Sequence, residues 1–261
     1  MPAAVSIGLA GGVPVQAIVE TATAAERAGL RALWLNETPG VDALAGLAAA
    51  AATERLLLGV GVVPLDRFPA DVLAARVERA GIPPERLLLG VGSGRAPHAA
   101  ALVERGVRGL RDRVGSPILV GGLGPLVRRV GAELADGLLL NWLPPDAAAA
   151  AADDARRQAA AAGRPRPHVA LYARTAIDPA AHPALRAEAE RYAAFPGYAA
   201  NFARIGRGPL DGSILAADAA GLRAGVAAYA AAVDELVLRA ITANGTPAEI
   251  GRLVDAVAAT A

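Results

Sequence analysis

The run ERLLLGVG occurs twice, at residues 54–61 and again at 85–92. The first copy continues as VVPLDRFP and the second as SGRAPH. A short leucine-rich run ending in glycine, bounded by turn residues, reads as a strand buried on both faces. The copies start 31 residues apart, about the length of one strand–helix–strand step. Six further runs have the same character: VSIGLAG (5–11), RALWLNE (31–37), PILVGG (117–122), GLLLNW (137–142), HVALYAR (168–174) and ELVLRAI (235–241). Helix-forming Ala, Arg and Glu segments separate most of them, at 15–29, 42–53, 69–80, 125–135, 146–162 and 246–259. In the last of these, Thr246, Pro247 and Glu249 form a capping-box pattern. Eight strands alternating with helices imply a parallel sheet, and closure into a (β/α)8 TIM barrel of one domain over residues 1–261 follows. An open doubly wound sheet would need a switch-point fingerprint, and none stands out.

Three connections depart from this rhythm. Those on either side of the fourth strand are short, so irregular helices are expected there. The connection at about 175–234 is long and contains AERYAAFPGYAANF, with four of the seven Phe and Tyr residues. It reads either as an extra helix packed on the barrel or as a lid over its mouth.

The composition excludes several function classes. Apolar residues make up 54% of the 261 and the formal net charge is +1, so the chain has a large core and no general attraction for polyanions. Aromatics are 3% and no basic stripe accompanies them, which argues against a nucleic-acid partner. No apolar run reaches the roughly 18–20 residues of a membrane span. The N-terminal MPAAVSIGLAGG lacks the basic region of a secretory signal, so a cytoplasmic location is expected. There is no Cys, hence no disulfide or thiolate nucleophile, and every one of the 26 basic residues is Arg, hence no lysine Schiff base.

In a barrel of this kind function gathers where strands end and βα loops begin. Those ends carry Gly11-Gly12, Asn36-Glu37, Gly61-Val62, Gly92-Ser93-Gly94, Gly121-Gly122, Asn141-Trp142, Arg174-Thr175 and then Thr242 and Asn244. His98, His168 and His182 lack metal-ligand spacing, so no metal is expected. Glycine dominates instead and lets a flat or anionic ligand approach the backbone, which points to a bound cofactor as the source of chemistry. The clearest anion site is GGLGPLVRR (121–129), with Gly121, Gly122, Leu123 and Gly124 leading into a helix opened by Pro125.

The series LWLNE, LAAAAATERLLLGVGVVPLDRFP, LLLGVGSG, ILVGGLGP and LADGLLLNWLPP resembles the luciferase-like monooxygenase superfamily, and more closely its branch that uses the deazaflavin coenzyme F-420. The resemblance is continuous to about residue 175 and thinner beyond. It implies a luciferase-like barrel and hydride transfer between coenzyme F-420, or FMN, and a small organic substrate. It further implies a non-prolyl cis peptide at Gly61–Val62, a ring bordered by Gly92, Ser93 and Gly94, a phosphate at Gly121 to Gly124, and Asn141-Trp142 beside ring or substrate. Relatives place a histidine after the second strand and a carboxylate after the fourth; here Glu37 and Ser93 stand in those regions. Glu37 is therefore the candidate general acid or base, with a helix cap or an Arg partner as its alternative role. The alternative function is a non-catalytic barrel that stores or delivers the coenzyme, and a third is a phosphate-binding barrel of other chemistry. The small-residue helix DALAGLAAAAAT (42–53) suits either close packing in a homodimer or packing on its own barrel.

Overall fold

A computed structural model describes residues 2–259. Eight parallel strands close on themselves in the order β1 (Ala4–Leu9), β2 (Ala32–Leu35), β3 (Leu57–Pro64), β4 (Leu87–Gly92), β5 (Ile118–Gly121), β6 (Gly137–Asn141), β7 (His168–Ala176) and β9 (Glu235–Ala240), which pairs back onto β1. The chain is thus a (β/α)8 barrel, and each leucine-rich run of the sequence lies in one of its staves. A ninth strand, β8 (Ser213–Leu215), was not foreseen. It pairs with Arg174–Ala176 of β7, beyond the point where β6 ends, and so extends the wall at the rim.

Around the sheet run α1 (Val15–Arg27), α2 (Ala43–Ala49), α3 (Ala70–Ala80), α4 (Ala99–Arg111), α5 (Pro125–Leu134), α6 (Pro145–Ala161) and, after β7, α7 (His182–Ala193), α8 (Pro196–Ile205), α9 (Ala219–Tyr229) and α10 (Pro247–Ala258). The expectation of irregular helices on either side of β4 is corrected. α3 has 11 residues and ends on left-handed Gly81, and α4 has 13 and buries Val103, Val107 and Leu110 along one stripe. Gly106 interrupts that pattern because Leu65 packs there; a Cβ would lie 2.5 Å from Leu65 Cδ1. The capping box at Thr246 and Glu249 forms as read. α2 buries Ala43, Leu44 and Leu47 against its own barrel. No helix of the described residues is long and apolar enough to cross a membrane.

Two apolar layers result. The larger lies between sheet and helices and includes Leu33, Leu58, Leu89, Leu171 and Leu238. The smaller fills the barrel with Trp34, Leu88, Leu119, Leu139, Tyr172 and Val237. The Trp34 indole fits there because Gly59 has no side chain; a Cβ would lie 2.2 Å from Trp34 Cδ2. At the N-terminal end of the barrel the fully buried Glu235 accepts hydrogen bonds from Ser6 Oγ (2.6 Å), Trp34 Nε1 (2.7 Å) and Arg31 Nε (3.1 Å), with His168 Nε2 2.8 Å away. Burial alone would raise its pKa; the hydrogen bonds from His168, Ser6 and Trp34 outweigh it and hold it low. This network ties the N-terminal end of the barrel together.

Candidate active site at the C-terminal mouth

The mouth is built on an irregularity in β3. Pairing with β4 shifts register between Val60 and Val63, and the intervening Gly61–Val62 bond is cis. The bulge is pinned by Asn36 of the β2 end, whose Nδ2 donates to the Gly61 carbonyl at 2.8 Å. Val62 then projects across the ends of β4 and β5. A Cβ on Gly92 would lie 2.9 Å from Val62 Cγ2, and one on Gly121 would lie 2.6 Å from Val62 Cγ1. Val62, Gly92 and Gly121 therefore meet as one shelf, with Gly61 behind it packed on Leu139 and Tyr172, where its own Cβ would lie 2.8 Å from Leu139 Cδ2.

The neighbouring loop Gly121–Gly124 leads into α5, whose N-cap Gly124 has no side chain and whose first residue is Pro125. The first-turn N–H groups of Leu126 and Val127 thus lack a side-chain cap. Arg204 of α8 donates to the Leu123 carbonyl (2.9 Å) and also to Asn201 Oδ1. Burial and the nearby Arg204 hold Arg128 below its usual pKa, so two guanidiniums crowd this helix start. Asn201 is buried with Nδ2 unpartnered.

The other candidates separate into distinct settings. Ser93 is half-buried, and exposed Gly94 is left-handed against the Asp66 carboxylate, which accepts from Arg95 N. Glu37 faces away from the shelf. Its Oε1 pairs with Arg76 (3.0 Å) and its Oε2 accepts from Ala43 N at the start of α2 (2.9 Å), while Arg76 also reaches Asp42 and stacks on Phe68. That setting is the helix-capping and Arg-pairing role. Trp142 is wholly buried at φ 55°, with Arg174 over its ring at 4.1 Å and Tyr192 at 5.2 Å, so its faces are occupied. Asn141 donates to Tyr198 Oη (3.0 Å) and accepts from Arg174. The aromatic stretch forms two helices, α7 and α8, broken at Pro196, and its rings Tyr192, Phe195, Tyr198 and Phe202 cluster with Trp142 at the mouth.

Sequence reasoning missed the charged centre of this wall. Arg174 (β7) and Arg239 (β9) converge on Glu188 of α7, at 3.1 and 3.5 Å, and Arg239 Nε donates to Asn36 Oδ1 at 3.0 Å. Burial pushes the Glu188 carboxyl up, but the two guanidiniums outweigh it and hold it below its ordinary value. Beneath them the buried Tyr172 hydroxyl has no partner, and burial raises it far above an ordinary phenol, so it stays protonated. Arg174 stood in the sequence only as a strand-end residue; the available signal was an arginine at the C-terminal half of each of two largely apolar strands, β7 and β9. A cavity of about 220 Å³ opens beside Arg239 and Glu188 between β1, β9 and α7.

The fold has known counterparts. An F-420-dependent secondary alcohol dehydrogenase in complex with an F-420–acetone adduct superposes with a TM-score of 0.77 at 15% identity, over 100% of both chains. The coenzyme F-420-dependent tetrahydromethanopterin reductase of Methanopyrus kandleri gives 0.73 at 17%, over 97% of this chain and 98% of that one. The oxygenating constituent of 3,6-diketocamphane monooxygenase from Pseudomonas putida, in complex with FMN, gives 0.70 at 14%, over 97% and 96%. These likenesses concern the fold. No curated protein matches the chain. The model of the luciferase-like monooxygenase family matches residues 1–115 and 102–261. The chain belongs to the luciferase-like monooxygenase family of oxidoreductases.

Proposed function

We propose that the mouth binds coenzyme F-420, with FMN as the second reading, and that the protein transfers hydride between that cofactor and a small organic substrate. The observation that carries the proposal is the shelf of Val62, Gly92 and Gly121 beside the uncapped start of α5. Gly92 and Gly121 let Val62 lie across the ends of β4 and β5 as an apolar face that suits a planar ring, and the helix start suits a phosphate. The orphaned Tyr172 hydroxyl and Asn201 amide at the same end lack partners that a polar ligand provides. Two solved relatives named for F-420 and one holding FMN support either cofactor.

Bound there, the cofactor supplies a ring position that gives or takes hydride, and FMN would add reactivity toward oxygen. The chain's own residues bind and orient. Gly121 to Gly124, Leu126 N–H, Val127 N–H and Arg128 hold the phosphate end. Val62, fixed through Gly61 and Asn36, backs the ring, with Gly92, Ser93 and Gly94 at its border. Asn141 and Trp142 hold the wall through Arg174 and Tyr198, and the α7–α8 aromatics exclude water. Glu37 sets the position of α2 and the β2 loop. We further propose one domain over residues 1–261 and a cytoplasmic site of action.

Titrating the purified protein with oxidised coenzyme F-420 and, separately, FMN tests this, with Trp fluorescence as the readout. Micromolar quenching by F-420 is the expected result. Preference for FMN moves the reading to oxygen-dependent chemistry, and binding of neither overturns the proposal. Binding without turnover in a substrate screen would favour the coenzyme-carrier alternative.

A further inference from the structure

We infer that the cavity beside Arg239 is a substrate pocket for a small aliphatic carboxylate, with the Arg239 guanidinium as its acid-binding group. The pocket's role as a substrate site rests on the function proposed above.

The first support is a charge count. Arg174 and Arg239 are 2% and 9% exposed, and Glu188 is the carboxylate they share. The other groups around them, Asn36, Asn141, Trp142 and Tyr192, are neutral. Arg191 also reaches Glu188, at 3.7 Å from the surface, and adds no negative charge. One buried positive charge is therefore uncompensated, which is costly unless a ligand supplies the anion. Burial, with the neighbouring Arg174, outweighs Glu188 and holds Arg239 below its usual pKa. The second support is the lining. Leu9, Val13, Ile241 and Ile250 line the cavity together with the charged pair Arg239 and Glu188. An apolar body with one acidic head matches that lining, and carboxylate is the planar partner guanidinium prefers. The third is size: a cavity of about 220 Å³ is enough for a short acid. Asn36 links the two sites, since it accepts from Arg239 and donates to the Gly61 carbonyl behind the shelf.

The same charge also suits an anionic oxygen of the cofactor, and the test separates the two sources. Hexanoate and 1-hexanol are titrated calorimetrically into coenzyme-free protein and then into protein saturated with coenzyme. Hexanoate is expected to bind at least tenfold more tightly than hexanol in both. Arg239→Gln should abolish that preference and Arg239→Lys should keep part of it, with circular dichroism confirming the fold. Equal binding of acid and alcohol, or an Arg239→Gln variant that keeps the preference, overturns the inference. The wild-type comparison alone decides should the Gln variant fail to fold. Loss of hexanoate binding on adding coenzyme assigns the charge to the cofactor and overturns the pocket. Coenzyme binding without hexanoate binding overturns the pocket alone, whereas hexanoate binding without coenzyme binding overturns the proposed function and leaves the pocket standing.

Discussion

Replacing Glu235 by Gln should weaken the barrel by about 3 kcal/mol at pH 7. Breaking a buried ionic network by removing one member costs about 3–5 kcal/mol. The lower end applies because Arg31, 37% exposed at its side chain, can recover water on losing its partner. Ser6 and Trp34 can still donate to the amide oxygen, but the new NH2 group faces His168 or Arg31, which bring donors of their own. For a chain of this size the loss corresponds to a fall in Tm of about 6–12 °C. The pH dependence is a second, independent signature. The folded-state pKa of Glu235 is depressed, so its contribution is present above the unfolded value of about 4.3 and is lost as pH falls through the folded value. The gap between wild type and variant should therefore narrow in acid. Differential scanning calorimetry of both proteins from pH 7 down to the acid limit of folding measures it. A Tm difference of less than about 2 °C at pH 7, or a gap that stays constant into acid, would refute the assignment of Glu235 as the charged keystone of the N-terminal end.

Three further outcomes are expected. Gly121→Ala places a Cβ 2.6 Å from Val62 Cγ1, so it should weaken coenzyme binding at least tenfold while Tm moves by only a few degrees; unchanged Kd values for F-420 and FMN count against the shelf. Glu37→Gln should lower stability by about 2 kcal/mol, less than a fully broken buried pair because Asp42 still holds Arg76, and should leave coenzyme affinity within about twofold. Loss of turnover at unchanged Tm would instead restore Glu37 as an acid or base. Gly59→Ala drives a methyl group into the Trp34 indole inside a closed barrel and should cost about 3 kcal/mol or more; a Tm within about 2 °C of wild type contradicts the packing described.

The strands were legible because a stave buried on both faces must be apolar along its whole length, and RLLLGVG or GLLLNW has few other readings. α4 was obscured by Gly106 and Gly109, although Val103, Val107 and Leu110 kept helical spacing. β8 was invisible, since three residues, Ser213–Leu215, carry no period. At the site, the glycines were informative as a set, because any one of them could serve a tight turn, as left-handed Gly94 does, and only the packing around Gly61, Gly92 and Gly121 shows close approach. Glu37 could not be resolved in that way: a carboxylate at a strand end serves as cap, ion-pair partner or acid alike, and only the position of Arg76 distinguishes them. Arg239 lies far along the chain from Arg174 and Glu188, and their convergence depends on how α7 folds back over the rim.

That fold-back has a consequence for how the protein is made. β1 is an unpaired edge on one side until β9 reaches it, and β9 follows β7 only after α7, α8, β8 and α9. During synthesis the first seven staves emerge as an open, aggregation-prone sheet, and closure waits for residues 235–240. The arginine that completes the charged wall arrives on that same closing strand. A ribosome-stalled or truncated chain ending before β9 should therefore present a sticky, protease-sensitive sheet with the shelf residues in hand and no working mouth, so that ring closure and site assembly become one late event.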